Sequence, residues 1–301
     1  MKEAYMRQVA LLLQVLPEVA KEKCFALHGG TAINLFVRNM PRLSVDIDLT
    51  YRFIEDRETS ISNVISALKS VNARLLKVKP GIHTNLQERE LKLQIGFEGA
   101  QIKIEVNQIK RGCISNPENL ILCDKAQEMF DAFCAIDVVP KSQLFGGKIV
   151  AALDRQHPRD LFDVKYFLDE NGLDDSIKEG FIFLLLSSNR PIYELLNPNR
   201  TDQKQAFDNQ FSGMSDQKFT YREFEDTREV LIKSIQNILT ADDKRFIVSF
   251  KKMEPDWDIY NFEQFPAIQW KLENLKFFFK NNHEGYNKSL DHLVNFLENL
   301  T

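Results

Sequence analysis

The chain has 301 residues, 44% hydrophobic and 27% charged, the composition of a folded globular protein of one large or two ordinary domains. It contains no run of about 18 apolar residues, the length a bilayer demands. The longest candidate is Val9 to Val15, and the charged start Met1-Lys2-Glu3-Ala4-Tyr5 lacks a signal-peptide cleavage region, so no membrane partner is expected and the expected compartment is cytoplasmic. A formal net charge of −4 announces no nucleic-acid partner, although a local basic face is compatible with it.

In chain order, apolar residues at Val9, Leu12, Leu13 and Leu16 predict an amphipathic helix from Ala4, ended or kinked at Pro17. Phe25-Ala26-Leu27 reads as a short strand that stops at Gly29-Gly30, and Thr31 to Arg38 as the helix that follows. Val45 to Tyr51 is a strand. Ile61, Val64, Ile65, Leu68 and Val71 mark a second amphipathic helix. Further strands are expected at Arg74 to Val78, Leu91 to Phe97 and Ile102 to Ile109, the last two joined by the turn Glu98-Gly99-Ala100, and another at Phe133 to Val139. From Lys141 onward the periodicity is helical: Leu144 to Leu153, Arg159 to Leu168, Ile177 to Leu186, Arg222 to Leu239, Ala267 to Phe279 and Leu290 to Leu300. The predicted architecture is therefore α+β. A mixed α/β domain over 1–140 precedes a helical domain over 141–301, with the boundary near Pro140 to Gly147. The 23 Phe, many at helical spacing in the second half, read as core. Cys24, Cys113, Cys123 and Cys134 lack CxxC spacing and read as buried thiols rather than metal ligands.

The chemistry concentrates in two stretches. Gly29-Gly30 opens a helix, where main-chain N–H groups hold phosphate oxygens. Ser44-x-Asp46-x-Asp48 lies in a strand, so period-2 alternation puts the three side chains on one face and Val45, Ile47 and Leu49 on the other. Two carboxylates so placed repel unless a cation offsets them, and together they suit a divalent ion. A phosphate cradle beside a carboxylate pair points to metal-assisted nucleotidyl or phosphoryl transfer with Mg2+ and an NTP. Glu105, in Lys103-Ile104-Glu105-Val106-Asn107, is a candidate third carboxylate, and the same pattern suits a surface strand.

A later cluster joins Lys148 to Arg155-Gln156-His157-Pro158-Arg159-Asp160-Leu161-Phe162-Asp163. Asp160 and Asp163, at i and i+3, share a helix face, and acids in a first turn also suit the helix dipole. Lys148, Arg155 and Arg159 complement a triphosphate. His28 reads as a strand-end residue packed beneath the glycine loop. Lys77-Val78-Lys79-Pro80 with Arg89 and Lys92 is either a solvated face or an RNA contact.

Gly29-Gly30-Thr31-Ala32, Arg42-x-Ser44-x-Asp46-x-Asp48-Leu49, Lys148 and Arg155-x-x-x-Arg159-Asp160-x-x-Asp163 together resemble the AbiEii/AbiGii toxin family. That resemblance covers about Phe25 to Leu168. It implies a nucleotidyltransferase fold similar to the DNA polymerase beta palm. It implies a toxin of a bacterial type IV toxin–antitoxin or phage-defence system, with a cognate antitoxin encoded nearby. The implied reaction is nucleotide transfer from an NTP, with a tRNA end as one acceptor. It assigns Asp46 and Asp48 to Mg2+, Gly29, Gly30, Thr31 and Ser44 to the phosphates, Lys148 to the nucleotide or its transferring phosphate, Arg159 to the nucleotide, and Asp160 to the acceptor. Glu105 stands where related polymerases often carry Asp, which weakens it as a metal ligand. The alternative is a protein of the same fold acting on a small molecule or protein, or binding without catalysis. Lys148, Arg159 and Asp160 are expected to project into a cleft facing Asp46, so that Asp48 and Lys148 line solvent rather than core.

Overall fold

The computed structural model describes residues 2–170 and 172–300. The chain forms two compact units, divided between Leu144 and Phe145, and Asn209–Lys218 belongs with the first. Among the described residues no helix is long and apolar enough to cross a membrane.

The first unit is built on a seven-stranded mixed sheet in the order β3-β4-β5-β2-β1-β7-β6. Its strands are β1 (Phe25–His28), β2 (Asp46–Tyr51), β3 (His83–Gln87), β4 (Lys92–Phe97), β5 (Ala100–Val106), β6 (Glu118–Ile121) and β7 (Ala135–Val138). β2 runs antiparallel to β1 and parallel to β5, and β1 runs parallel to β7. Alternation decides the faces. Ile47, Leu49, Leu93, Ile95, Ile102 and Ile104 are buried, and helices α1 (Glu3–Val19) and α3 (Arg57–Val78) pack against β3, β4 and β5.

Several expected elements shift. α1 runs through Pro17 to Val19, because in the last turn the missing N–H costs only one hydrogen bond. The strand expected at Arg74 to Val78 is the end of α3. Buried Ser60, Val64, Ala67, Leu68, Val71 and Leu75 keep the helical period, while Leu76 and Val78 face out. The third strand of this region is instead the polar β3. After β1 the chain makes one α turn, α2 (Gly29–Ala32), then a π turn over Ile33–Val37. Edge strand β6 and α4 (Asp124–Phe130) lie where no element is expected. Cys134 is buried and the other three thiols are half-buried, all free.

The segment Asn209–Lys218 braces the approach to β2. Leu43 N–H donates to Met214 O at 2.7 Å, and Ser215 Oγ donates to Pro41 O at 2.7 Å.

The second unit is helical. α5 (Lys141–Arg155) enters it at Phe145, followed by α6 (Pro158–Glu170), α7 (Asp175–Leu186), α8 (Ile192–Leu196), α9 (Lys204–Ala206), α10 (Tyr221–Ile238), α11 (Ala241–Lys251), α12 (Pro266–Asn281) and α13 (His283–Glu298). Its core is rich in Phe, including Phe162, Phe181, Phe224, Phe246 and Phe250. α5 and α7 cross where two glycines meet: a Cβ on Gly146 would lie 2.3 Å from the Gly180 main chain. Only glycine permits that approach, and Lys148 sits two residues further along α5.

Candidate active site

In the first unit, strand register assembles the acidic site. Asp46 pairs with Lys103 and Asp48 with Glu105 across β2 and β5, and Asp48 with His28 across β2 and β1. Ile47 and Leu49 are fully buried, so Asp46 and Asp48 share the opposite face, where both are half-exposed. The geometric expectation of two carboxylates on one face holds.

The glycine loop lies against this pair. Gly29 has φ +73°, a conformation L side chains rarely adopt, and a Cβ there would sit 2.8 Å from Asp48 Oδ2. A Cβ on Gly30 would lie 2.7 Å from Arg42 Nη2 and 3.0 Å from Ser44 Oγ. The loop therefore touches the carboxylate and its neighbours with bare main chain. Thr31 is buried; its hydroxyl donates to Asp46 O at 2.5 Å and lies 3.0 Å from Ser44 Oγ. Asn34 Nδ2 holds Gly30 O at 2.9 Å. Thr31 and Ser44 thus tie the loop to the start of β2. His28 takes the strand-end place expected of it, its Nδ1 2.9 Å from Thr50 Oγ1.

Two cations that motif reasoning assigned no role stand here. Arg42 is buried beside Gly30, with Nη1 donating to Leu43 O at 2.9 Å. Lys103 Nζ lies 4.0 Å from Asp46 Oδ1 and donates to Glu105 Oε2 at 2.8 Å. Burial opposes the charge on Lys103, but hydrogen-bonded Glu105 and the nearby Asp46 and Asp48 raise its pKa above the usual lysine value. The signal for Lys103 was its position two residues before Glu105 on one strand face.

Glu105 is also held by Lys92 at 3.0 Å. Burial alone would raise its carboxyl, but the hydrogen bonds from Lys103 and Lys92 keep it below the usual carboxylate value. Among the described residues no three His, Cys, Asp or Glu side chains converge as a metal site. Glu105 is engaged by two lysines, so Asp46 and Asp48 are the candidate oxygen donors for a metal. Two half-exposed carboxylates beside a main-chain cradle fit Mg2+, which takes one or two protein carboxylates and completes its shell with water and phosphate.

The second unit holds the other cluster. Lys148 Nζ lies 2.9 Å from Asp160 Oδ1 and 2.9 Å from Asp163 Oδ2. Arg155 grips Asp160 in a fork, Nε to Oδ2 at 2.5 Å and Nη2 to Oδ1 at 3.0 Å. Burial would raise the Asp160 carboxyl, but Lys148 and Arg155 hold it well below the usual range. Lys148, Asp160 and Asp163 are 6%, 1% and 1% exposed, so of the two residues expected to line solvent, Asp48 is half-exposed but Lys148 is buried. With both oxygens engaged and little proton affinity, Asp160 is suited to hold Lys148 and Arg155 in place and poorly suited to act as a base. Arg159, half-buried in the first turn of α6, donates its main-chain N–H to His157 Nδ1 at 3.2 Å.

Comparison with known proteins agrees with the geometry. Residues 10–274 match the family described as nucleotidyl transferase AbiEii toxin, type IV TA system. The fold is similar to that of MenT4, a nucleotidyltransferase toxin from Mycobacterium tuberculosis. The TM-score is 0.61 at 15% identity, over 90% of this chain and 93% of that one. No curated protein sequence matches the chain. The carboxylate strand, the glycine loop and a family match over most of the chain lead to one conclusion: this chain belongs to the AbiEii family of nucleotidyltransferase toxins of type IV toxin–antitoxin systems.

Proposed function

We propose that the protein transfers a nucleotide from an NTP to the 3′ end of an RNA, a tRNA end being the acceptor class, in a Mg2+-dependent reaction held in check by a cognate antitoxin. The observation that carries this reading is the half-exposed Asp46–Asp48 pair with the Gly29–Gly30 main chain packed against it. Asp46 and Asp48 would hold Mg2+, which when bound offsets charge on the α-phosphate and the departing pyrophosphate. Gly29 and Gly30 let main-chain N–H groups approach the phosphates with no side chain between. Arg42, beside Gly30, adds fixed positive charge to that cradle. In the transfer, the acceptor hydroxyl oxygen bonds the α-phosphorus. The bond from that phosphorus to the bridging oxygen breaks, pyrophosphate leaves with the electron pair, and the hydroxyl proton passes to water. Roles for Lys148, Asp160 and Arg159 in the same reaction rest on the residue pattern that they share with the family.

The test is incubation with each α-labelled NTP and total RNA, with and without EDTA. Label should enter RNA from at least one NTP and only with the divalent ion present. Asp48→Ala should lower the rate about 10²- to 10³-fold. Asp48 is half-exposed, so its melt should stay within about 1 kcal/mol of wild type. Label that enters protein or a small molecule but no RNA would overturn the choice of acceptor.

A further inference from the structure

The face that carries Asp46 continues across three more strands. On β5, Gln101, Lys103 and Glu105 alternate with buried Ile102, Ile104 and Val106. Register then lines up whole rows. Asn85 pairs with Gln94, Gln94 with Lys103, and Lys103 with Asp46; His83 pairs with Gly96, and Gly96 with Gln101. The neighbouring row of Gln87, Lys92, Glu105 and Asp48 is closed by the lysine–Glu105 ion pairs. The first two rows instead border a cavity of about 470 Å3, with Asp46 and Lys103 at one end and His83, Asn85, Gln94 and Gln101 along it. Asn85 Nδ2 donates to Gln94 Oε1 at 3.2 Å, so the amides are already coupled.

Strand order says which partner arrives there. β2 lies between β5 and β1, and the glycine loop follows β1. Phosphates held by that loop put the leaving pyrophosphate on the β1 side of Asp46 and Asp48. In-line displacement then requires the attacking hydroxyl to approach from the opposite side, the side of β5, β4 and β3. The side chains waiting there are mostly uncharged amides. Each offers donors and an acceptor in a fixed plane, the arrangement that reads base edges. Gly96 leaves a flat floor opposite exposed His83, and bases splayed from single strands stack on such rings.

We propose that this cavity is the acceptor subsite, in which Asn85, Gln94 and Gln101 hydrogen-bond the terminal nucleobase of a single-stranded RNA 3′ end. Lys103 meets its backbone phosphate, and the terminal hydroxyl comes to rest beside Asp46. The inference rests on the RNA-acceptor reading above.

The experiment uses the full chain, a labelled NTP and short oligoribonucleotides that differ only in the 3′-terminal base. Asn85 and Gln94 are exposed side chains on the solvent face, so Asn85→Ala/Gln94→Ala should fold as wild type. That variant should raise the KM for RNA about 10- to 100-fold with the KM for NTP unmoved. Gln94→Glu exchanges an amide donor for an acceptor and should reorder which terminal base is preferred. A wild-type protein that extends no oligonucleotide overturns the RNA-acceptor reading and this proposal with it. Wild-type extension with unchanged RNA KM and base order in the variants overturns the subsite alone. A rise in the NTP KM instead assigns the cavity to the incoming nucleotide and also overturns it.

Discussion

Lys148→Met is the perturbation that most sharply separates a structural from a catalytic role. The wild-type ammonium serves two carboxylates at 2.9 Å each, and both are about 1% exposed. Asp160 keeps Arg155 when Lys148 is lost, whereas the buried Asp163 carboxylate loses the ammonium 2.9 Å away. Breaking one side of a buried ion pair costs about 3–5 kcal/mol. At roughly 2–4 °C per kcal/mol for a chain of this size, the melt should fall by about 6–20 °C. Adding Asp163→Asn removes the negative charge that Lys148 had offset. A neutral buried pair is often as stable as the ionic one, so the double variant should return to within about 2 kcal/mol of wild type. Urea unfolding followed by circular dichroism measures both. The transfer assay then reads the double variant as a folded protein without the Lys148 charge. If Lys148 serves the reaction, stability returns and transfer does not. A Lys148→Met melt equal to wild type would refute the buried network, and transfer restored in the double variant would refute the catalytic role.

Two other predictions follow from the site and the helical unit. Gly29→Ala combines a left-handed backbone with a Cβ 2.8 Å from Asp48 Oδ2. The backbone cost should be about 1–2 kcal/mol in a thermal melt, while displacement of Asp48 should lower the initial transfer rate about 100-fold. In the second unit, burial pushes Lys251 and Lys271 down to about 8, and Lys271 is lowered further by Lys251. Between pH 8 and about 10.5 the native state then binds fewer protons than the unfolded chain, so these lysines' contribution to stability rises with pH through that window and is flat below it. The raised pKa values of Cys24 and Cys113 act in the opposite direction, so the informative quantity is the difference from Lys271→Met. From pH 7 to pH 10 wild type should gain about 2 kcal/mol on that variant in urea unfolding, and parallel profiles would refute the lysine assignment.

What the sequence disclosed depended on whether the cause was local. β2 was legible because alternation is intrinsic to a strand: buried Ile47 and Leu49 force Asp46 and Asp48 outward whatever else packs nearby. β3 was not, because His83-Thr84-Asn85-Leu86-Gln87 has a single large apolar residue and is a strand only through its pairing with β4. Arg74 to Val78 misled for the converse reason. Its short apolar run suits a strand, and only the stripe from Val64 through Leu75 against the sheet makes it helix. No local pattern ties Met214 to Leu43 across a long chain separation. Charge also misdirected the reading of Lys148, Asp160 and Asp163. Such residues are almost never fully buried unless paired, and their pairing joins α5 to α6.

The carboxylate face shows how neighbouring strands that carry like charges are kept folded. Asp46, Asp48 and Glu105 stand on adjoining positions of β2 and β5, where like charges side by side are destabilising. Lys103 lies between Asp46 and Glu105, and Lys92 takes the far side of Glu105. Glu105 is therefore held from two sides, Lys103 stands further from Asp46 at 4.0 Å, and Asp48 lies beside the bare Gly29 main chain. Lysine contact is thus closest at Glu105, while Asp48 is the carboxylate packed against the glycine loop. Lys103 links the two functions of this face. It offsets Asp46 in the free protein; in the reaction proposed above Mg2+ would take over that charge, and the Lys103 ammonium would turn toward a polyanionic acceptor. Glu105, 2.8 Å from Lys103, would then act as the tether that keeps Lys103 on the sheet, a role for this carboxylate that needs no contact with the metal.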